Sequence, residues 1–144
     1  MTEDIVAIAR RWLGTPYEHQ ASCLGAGADC LGLIRGIWRT LYDSEPVPIP
    51  PYTPDWSEPA RDEVLLRAAN RYFTLNTAEM ALGDVLVFRM RARRVAKHLA
   101  IVSALKPNPK IIHAYSGQGV VETPLSPAWE RRIAGVFQFP DRRK

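Results

Sequence analysis

No stretch of the sequence approaches the roughly 18 consecutive apolar residues that a helix needs to cross a bilayer, so no membrane span is expected. The opening Met1-Thr2-Glu3-Asp4 is acidic where a secretory signal would be basic, and no export address is read from it. Cysteine is scarce: Cys23 and Cys30 are too few for a disulfide framework, and free thiols in an intracellular folding compartment are the expectation. The pair also lacks the close spacing of structural zinc ligands, which argues against a metal site. Histidine is nearly as rare, with only His19, His98 and His113. Internal repeats are missing, and so are low-complexity tracts apart from one proline-rich segment.

What is present is ordinary globular material. Of 144 residues 47% are hydrophobic and 24% charged, enough for one buried core in a chain too short for two, so residues 1–144 read as a single domain. The net charge of +4 suits an anionic partner and plain solubility equally well. Ile5, Ile8, Ala9 and Trp12 recur at helical spacing and predict a helix from Thr2 to Leu13, closed by Gly14 and Pro16. A second helix is predicted from Cys30 to Tyr42, with Ile34, Ile37, Trp38 and Leu41 on the face of Cys30. Asp29 is its natural N-cap, and Gly25 and Gly27 loosen the loop before it. Six prolines between Pro46 and Pro59 predict a long surface loop, after which Ser57-Glu58-Pro59 opens a third helix to about Phe73.

Beyond Met80 the character changes. Gly83-Asp84 reads as a turn and Val85 to Phe88 as a buried strand; His98 to Leu105 and Ile111 to Tyr115 read as a hairpin about Pro107-Asn108-Pro109, and Ile133 to Phe139 as a last strand. Helices first and strands later predict an α+β fold.

Chemistry can come from few places. A thiol attacks as thiolate, and a helix N-terminus favours the anion because its unpaired N–H groups point at it, which makes Cys30 a candidate nucleophile; an inert core cysteine is the plain alternative. His98 and His113 sit on the two arms of one hairpin and are candidates for a base and its orienting partner, or else for two satisfied sheet histidines. A four-residue loop from Pro107 to Lys110 would pair Ala104 with His113, putting both histidines on one face but several positions apart, so that contact requires a bulge or strong coiling. The basic run from Arg89 to Lys97 carries five positive charges without interleaved aromatics, which fits a solvated connection better than a nucleic-acid surface.

Five blocks in order, Trp12-Leu13-Gly14-Thr15-Pro16-Tyr17, Asp29-Cys30-Leu31-Gly32-Leu33-Ile34, Leu82-Gly83-Asp84-Val85, Lys97-His98-Leu99-Ala100-Ile101-Val102 and Ile112-His113-Ala114, resemble the NlpC-type cell-wall peptidases. The stretch from His19-Gln20-Ala21-Ser22 to Pro50-Pro51-Tyr52-Thr53-Pro54-Asp55-Trp56 is most similar to the single-domain peptidases carried by phage tails and gene transfer agents. The resemblance implies a papain-like fold, with the nucleophile at a helix start packed on an antiparallel sheet. It implies Cys30 as nucleophile, His98 as general base, His113 as the residue orienting it, and no cofactor. Tyr17 matches the family tyrosine near the thiol, and Asp29 the acidic residue that helps bind a free amino group of the stem peptide. Peptidoglycan stem peptides are the implied substrate, and tail hub or baseplate proteins the implied partners. The implied location is a phage-like particle, made in the cytoplasm and acting in the periplasm or wall. Leu31 departs from the pattern, since relatives usually have a serine there that helps recognise the amine, and this leaves an amidase or acyl transferase of the same fold as a rival. A tail component using the fold for docking is another.

Overall fold

Helix α1 (Thr2–Arg10) forms because its apolar positions repeat on one face, and Ile5, Ile8 and Ala9 are buried there. The computed structural model describes residues 2–45, 63–90 and 94–140. After Arg10 the expected helix tightens into three-residue turns, with the Arg11, Trp12 and Leu13 N–H groups donating to Ile8, Ala9 and Arg10. A two-stranded hairpin follows, β1 (Ser22–Cys23) with β2 (Gly27–Ala28), where only a glycine-loosened loop was expected.

Helix α2 (Cys30–Tyr42) has the predicted bounds because both ends are capped. Asp29, in extended backbone, accepts the Gly32 N–H through its side chain, and Asp43 closes the C-terminus in the left-handed conformation at φ 67°. Leu33, Ile34, Ile37 and Leu41 are buried, each contributing roughly 1.5–3 kcal/mol by leaving water. Gly36 leaves room for Trp12 from the turn after α1, since any Cβ there would overlap its ring. Helix α3 (Val64–Tyr72) matches the later part of the third predicted helix. The proline-rich loop and the Ser57-Glu58-Pro59 start lie outside the described residues.

Six strands make one antiparallel sheet in the order β3-β8-β4-β5-β6-β7. They are β3 (Thr74–Leu75), β4 (Val85–Arg89), β5 (Ala96–Ala104), β6 (Lys110–Tyr115), β7 (Gly119–Pro124) and β8 (Ile133–Gln138), with the short helix α4 (Pro127–Glu130) before the last. Asp84 sets up β4: its carboxylate accepts the Ala81 N–H at 2.8 Å and the Asn76 side-chain amide at 2.7 Å. Alternation gives the sheet two apolar faces. One carries Val85, Val87, Leu99, Ile101, Ile112 and Ala114 against α1 and α2; the other carries Leu86, Phe88, Ala100, Val102 and Ile111, with Trp129 of α4 packed against it and Ile133 of β8 beside it. The result is the expected α+β architecture, in which helix α2 delivers Cys30 to the sheet.

Candidate active site

Cys30 is the first residue of α2 and only 7% exposed. The turn it starts is held from outside the helix. One Asp29 oxygen accepts the Gly32 N–H at 2.7 Å; the other accepts the Gln20 N–H at 2.7 Å and lies 3.7 Å from Nδ1 of His19. Tyr17 forms a bridge with Ala28 and stands close enough to Cys30 and Asp29 for its phenol to respond to their charge. Three of the five expected site residues, Tyr17, Asp29 and Cys30, are thus gathered around one helix start. Cys23 is a free, exposed thiol outside this group.

The sulfur meets the sheet at a split. Val102 exchanges backbone hydrogen bonds with Gly83 and Asp84 on the β4 side, so alternation along β5 turns the Leu99 N–H toward β6. The β5–β6 ladder ends at Ile101↔Ile112, while β6 stays paired with β7 as far as Tyr115↔Gly119. Cys30 comes to that gap, with the backbone N–H groups of Leu99, Leu31 and Cys30 itself close enough to favour its thiolate. Leu99 directly follows His98, so the sulfur lies beside the backbone of the strand that presents the imidazole.

The two histidines are in direct contact, with His98 Nε2 2.7 Å from His113 Nδ1. The expected pairing of Ala104 with His113 is wrong: Ala104 pairs with Lys110, and a bulge between Val102 and Ala104 restores Val102↔Ile111 and Ile101↔Ile112. That slip brings the imidazoles diagonally together. His113 Nε2 continues to Thr123 Oγ1 at 2.9 Å, and both rings lie against Trp129 and Tyr115, with Phe88 also beside His98. Sequence reasoning missed Thr123 and Trp129. Val120-Val121 between a glycine turn and Pro124 could have marked β7, and Ser126-Pro127 could have marked the cap of α4.

Electrostatics set the protonation states. Burial and, after it, the Asp29 carboxylate push the Cys30 thiol up to about 12 against the pull of three N–H groups. The helix-start argument for a resting thiolate is therefore outweighed. Burial, followed by the neighbouring His113, lowers His98 to about 3, and burial lowers His113 to about 4. Burial, then Cys30 and Asp29, raise the Tyr17 phenol, so it keeps its proton as a hydrogen-bond donor. The resting pair is a neutral thiol and a neutral imidazole, and among the described residues no hydrogen bond joins them. Contacts of this kind are often long before substrate arrives and tighten around it.

Comparison with solved structures identifies this architecture as the papain-like fold of NlpC/P60 domains. The NlpC/p60 domain of the peptidoglycan hydrolase SagA matches with a TM-score of 0.63 at 21% identity, over 96% of this chain and 99% of that one. An NlpC/P60 family protein from Bacillus cereus gives 0.62 at 21% identity over 96% of this chain and 40% of its own. A protein from Staphylococcus aureus described as similar to lipoprotein, NLP/P60 family, gives 0.60 at 20% identity over 97% of this chain. The chain spans 42% of that protein's length. No protein-family model matches the sequence, and none of the curated proteins matches it.

Proposed function

We propose that the protein is a cysteine endopeptidase that hydrolyses peptide bonds in peptidoglycan stem peptides. The observation that carries this reading is the Cys30 thiol in the β5–β6 split, beside the strand that presents His98 already hydrogen-bonded to His113. The fold shared with a peptidoglycan hydrolase domain supports the substrate class. As a substrate carbonyl approaches, Nδ1 of His98 takes the Cys30 proton while the sulfur bonds to the carbonyl carbon. The backbone N–H of Cys30 and the Tyr17 hydroxyl donate to the oxyanion. The imidazolium, held through Nε2 by His113, gives its proton to the leaving amine as the C–N bond breaks. Water then attacks the thioester, giving one proton to His98, which returns it to the departing sulfur, while the acid released loses its own proton to solvent as the carboxylate. Asp29, which the resemblance matches to the acidic residue binding a free amino group, stands beside Cys30 and serves the amino group of a stem peptide. We assign the protein to a phage or gene transfer agent tail, bound to hub or baseplate proteins and opening the wall locally; the resemblance of residues 19–56 supports that setting.

Incubating the protein and Cys30→Ala with purified peptidoglycan, and identifying new termini by mass spectrometry, tests the reading. New α-amino and α-carboxyl termini are expected with the wild type and absent with the variant, a loss of about 10³-fold or more. Equal, negligible release by both would remove the enzyme and leave a docking module, and release of ammonia or an acyl group instead of a peptide would move it to the amidase or transferase class.

A further inference from the structure

A neutral imidazole carries one N–H, and the nitrogen that bears it decides whether the ring can act as a base. His98 meets His113 through Nε2, so a free lone pair on Nδ1 of His98 requires its proton on Nε2 and an accepting Nδ1 on His113. His113 must then carry its own proton on Nε2, the nitrogen 2.9 Å from Thr123 Oγ1. These two hydrogen bonds occupy both nitrogens of His113. Thr123 reaches it because Thr123 pairs with Ile111 and Val121 with His113, which sets Thr123 diagonally across the ladder on the same face as the imidazole. Thr123 is half-buried, so its own proton has access to water while a lone pair serves the ring.

We propose that Thr123 is a positioning residue: by accepting the Nε2–H of His113 it fixes the tautomers of both imidazoles and keeps the lone pair of His98 on Nδ1. The opposite arrangement is disabling. With His113 protonated on Nδ1, that nitrogen would donate to His98 Nε2, moving the His98 proton to Nδ1, where a base needs a lone pair. The inference rests on the reading of His98 as the base, and its test separates the two.

Long-range ¹H–¹⁵N correlation spectra of the wild type, Thr123→Val and Thr123→Ser at neutral pH report which nitrogen of each ring is protonated. His113 is expected on Nε2 in the wild type. Thr123→Val should shift it toward Nδ1–H and lower kcat/KM on soluble muropeptides about tenfold, mainly through kcat, the size of one lost hydrogen bond. Thr123→Ser, which keeps the hydroxyl, should restore both. His113 protonated on Nδ1 in the wild type would overturn the inference without reference to any variant, as would an unchanged tautomer in Thr123→Val. If wild type and Cys30→Ala both fail to cleave, the peptidase reading falls while the spectra still decide the tautomer.

Discussion

Burying a thiol beside a carboxylate works against its ionisation, and Cys30 is subject to both effects. Asp29 cannot simply be dispensed with, because its two oxygens hold the Gly32 and Gln20 N–H groups that shape the helix start. Asp29→Asn separates charge from shape. Asparagine caps a helix as well as aspartate does, though its amide keeps only one of those two bonds, at a cost of about 1–3 kcal/mol. With the charge gone, the alkylation profile of Cys30 should move to lower pH, with reaction at pH 8 a few-fold faster; a profile at the same or higher pH would show that burial alone sets the thiol. Asp29 and Cys30 were legible in the sequence because an N-cap and the residue after it are local facts. Thr123 was not, because its partner is chosen by strand register.

Elements show the same division. Helix α2 was readable because its N-cap and apolar period agree, whereas β1, β2 and β3 span two residues each and carry no period. The β5–β6 register was misread because the turn closes at Ala104↔Lys110 rather than Ala104↔His113, three places from the expected pairing, and the bulge adds one more. Within α2, Gly32 sets intrinsic propensity against space. Alanine gains about 1 kcal/mol of helix propensity over glycine. A Cβ at Gly32 would, however, overlap the Ala21 carbonyl, which belongs to backbone and cannot rotate away. Overpacking should win, so Gly32→Ala is expected to lose a net of about 2 kcal/mol or more in urea unfolding and to slow Cys30 alkylation. A stabilised variant would mean that the 18–29 segment yields easily.

For the whole molecule, two buried neutral imidazoles make stability depend on acidity. The ordinary value is 6.5, and burial brings His98 and His113 to about 3 and about 4. Below about pH 6.5 the unfolded chain binds protons that the native state refuses, so stability is full above that value and drains as pH falls toward the folded values. Unfolding free energy should decline by up to about 2.7 kcal/mol per pH unit between roughly pH 6 and 4, since each group contributes up to about 1.4. His113→Gln should about halve the slope; an unaltered slope would mean that the native histidines are already charged. Cys30 acts at the other end, where a raised thiol value means that stability declines once pH climbs above its ordinary 9.0.

The split between β5 and β6 also bears on how the molecule matures. Its sulfur arrives with the opening helices, but the amide that receives it comes from Leu99 and the imidazoles from the later hairpin. A ribosome therefore releases the thiol long before the imidazoles can take its proton, and in the half-made chain it keeps its ordinary acidity rather than the raised value of the folded site. Competence needs β5 and β6 beside the helix start, so a product that stops short of them carries the nucleophile without its power to cut.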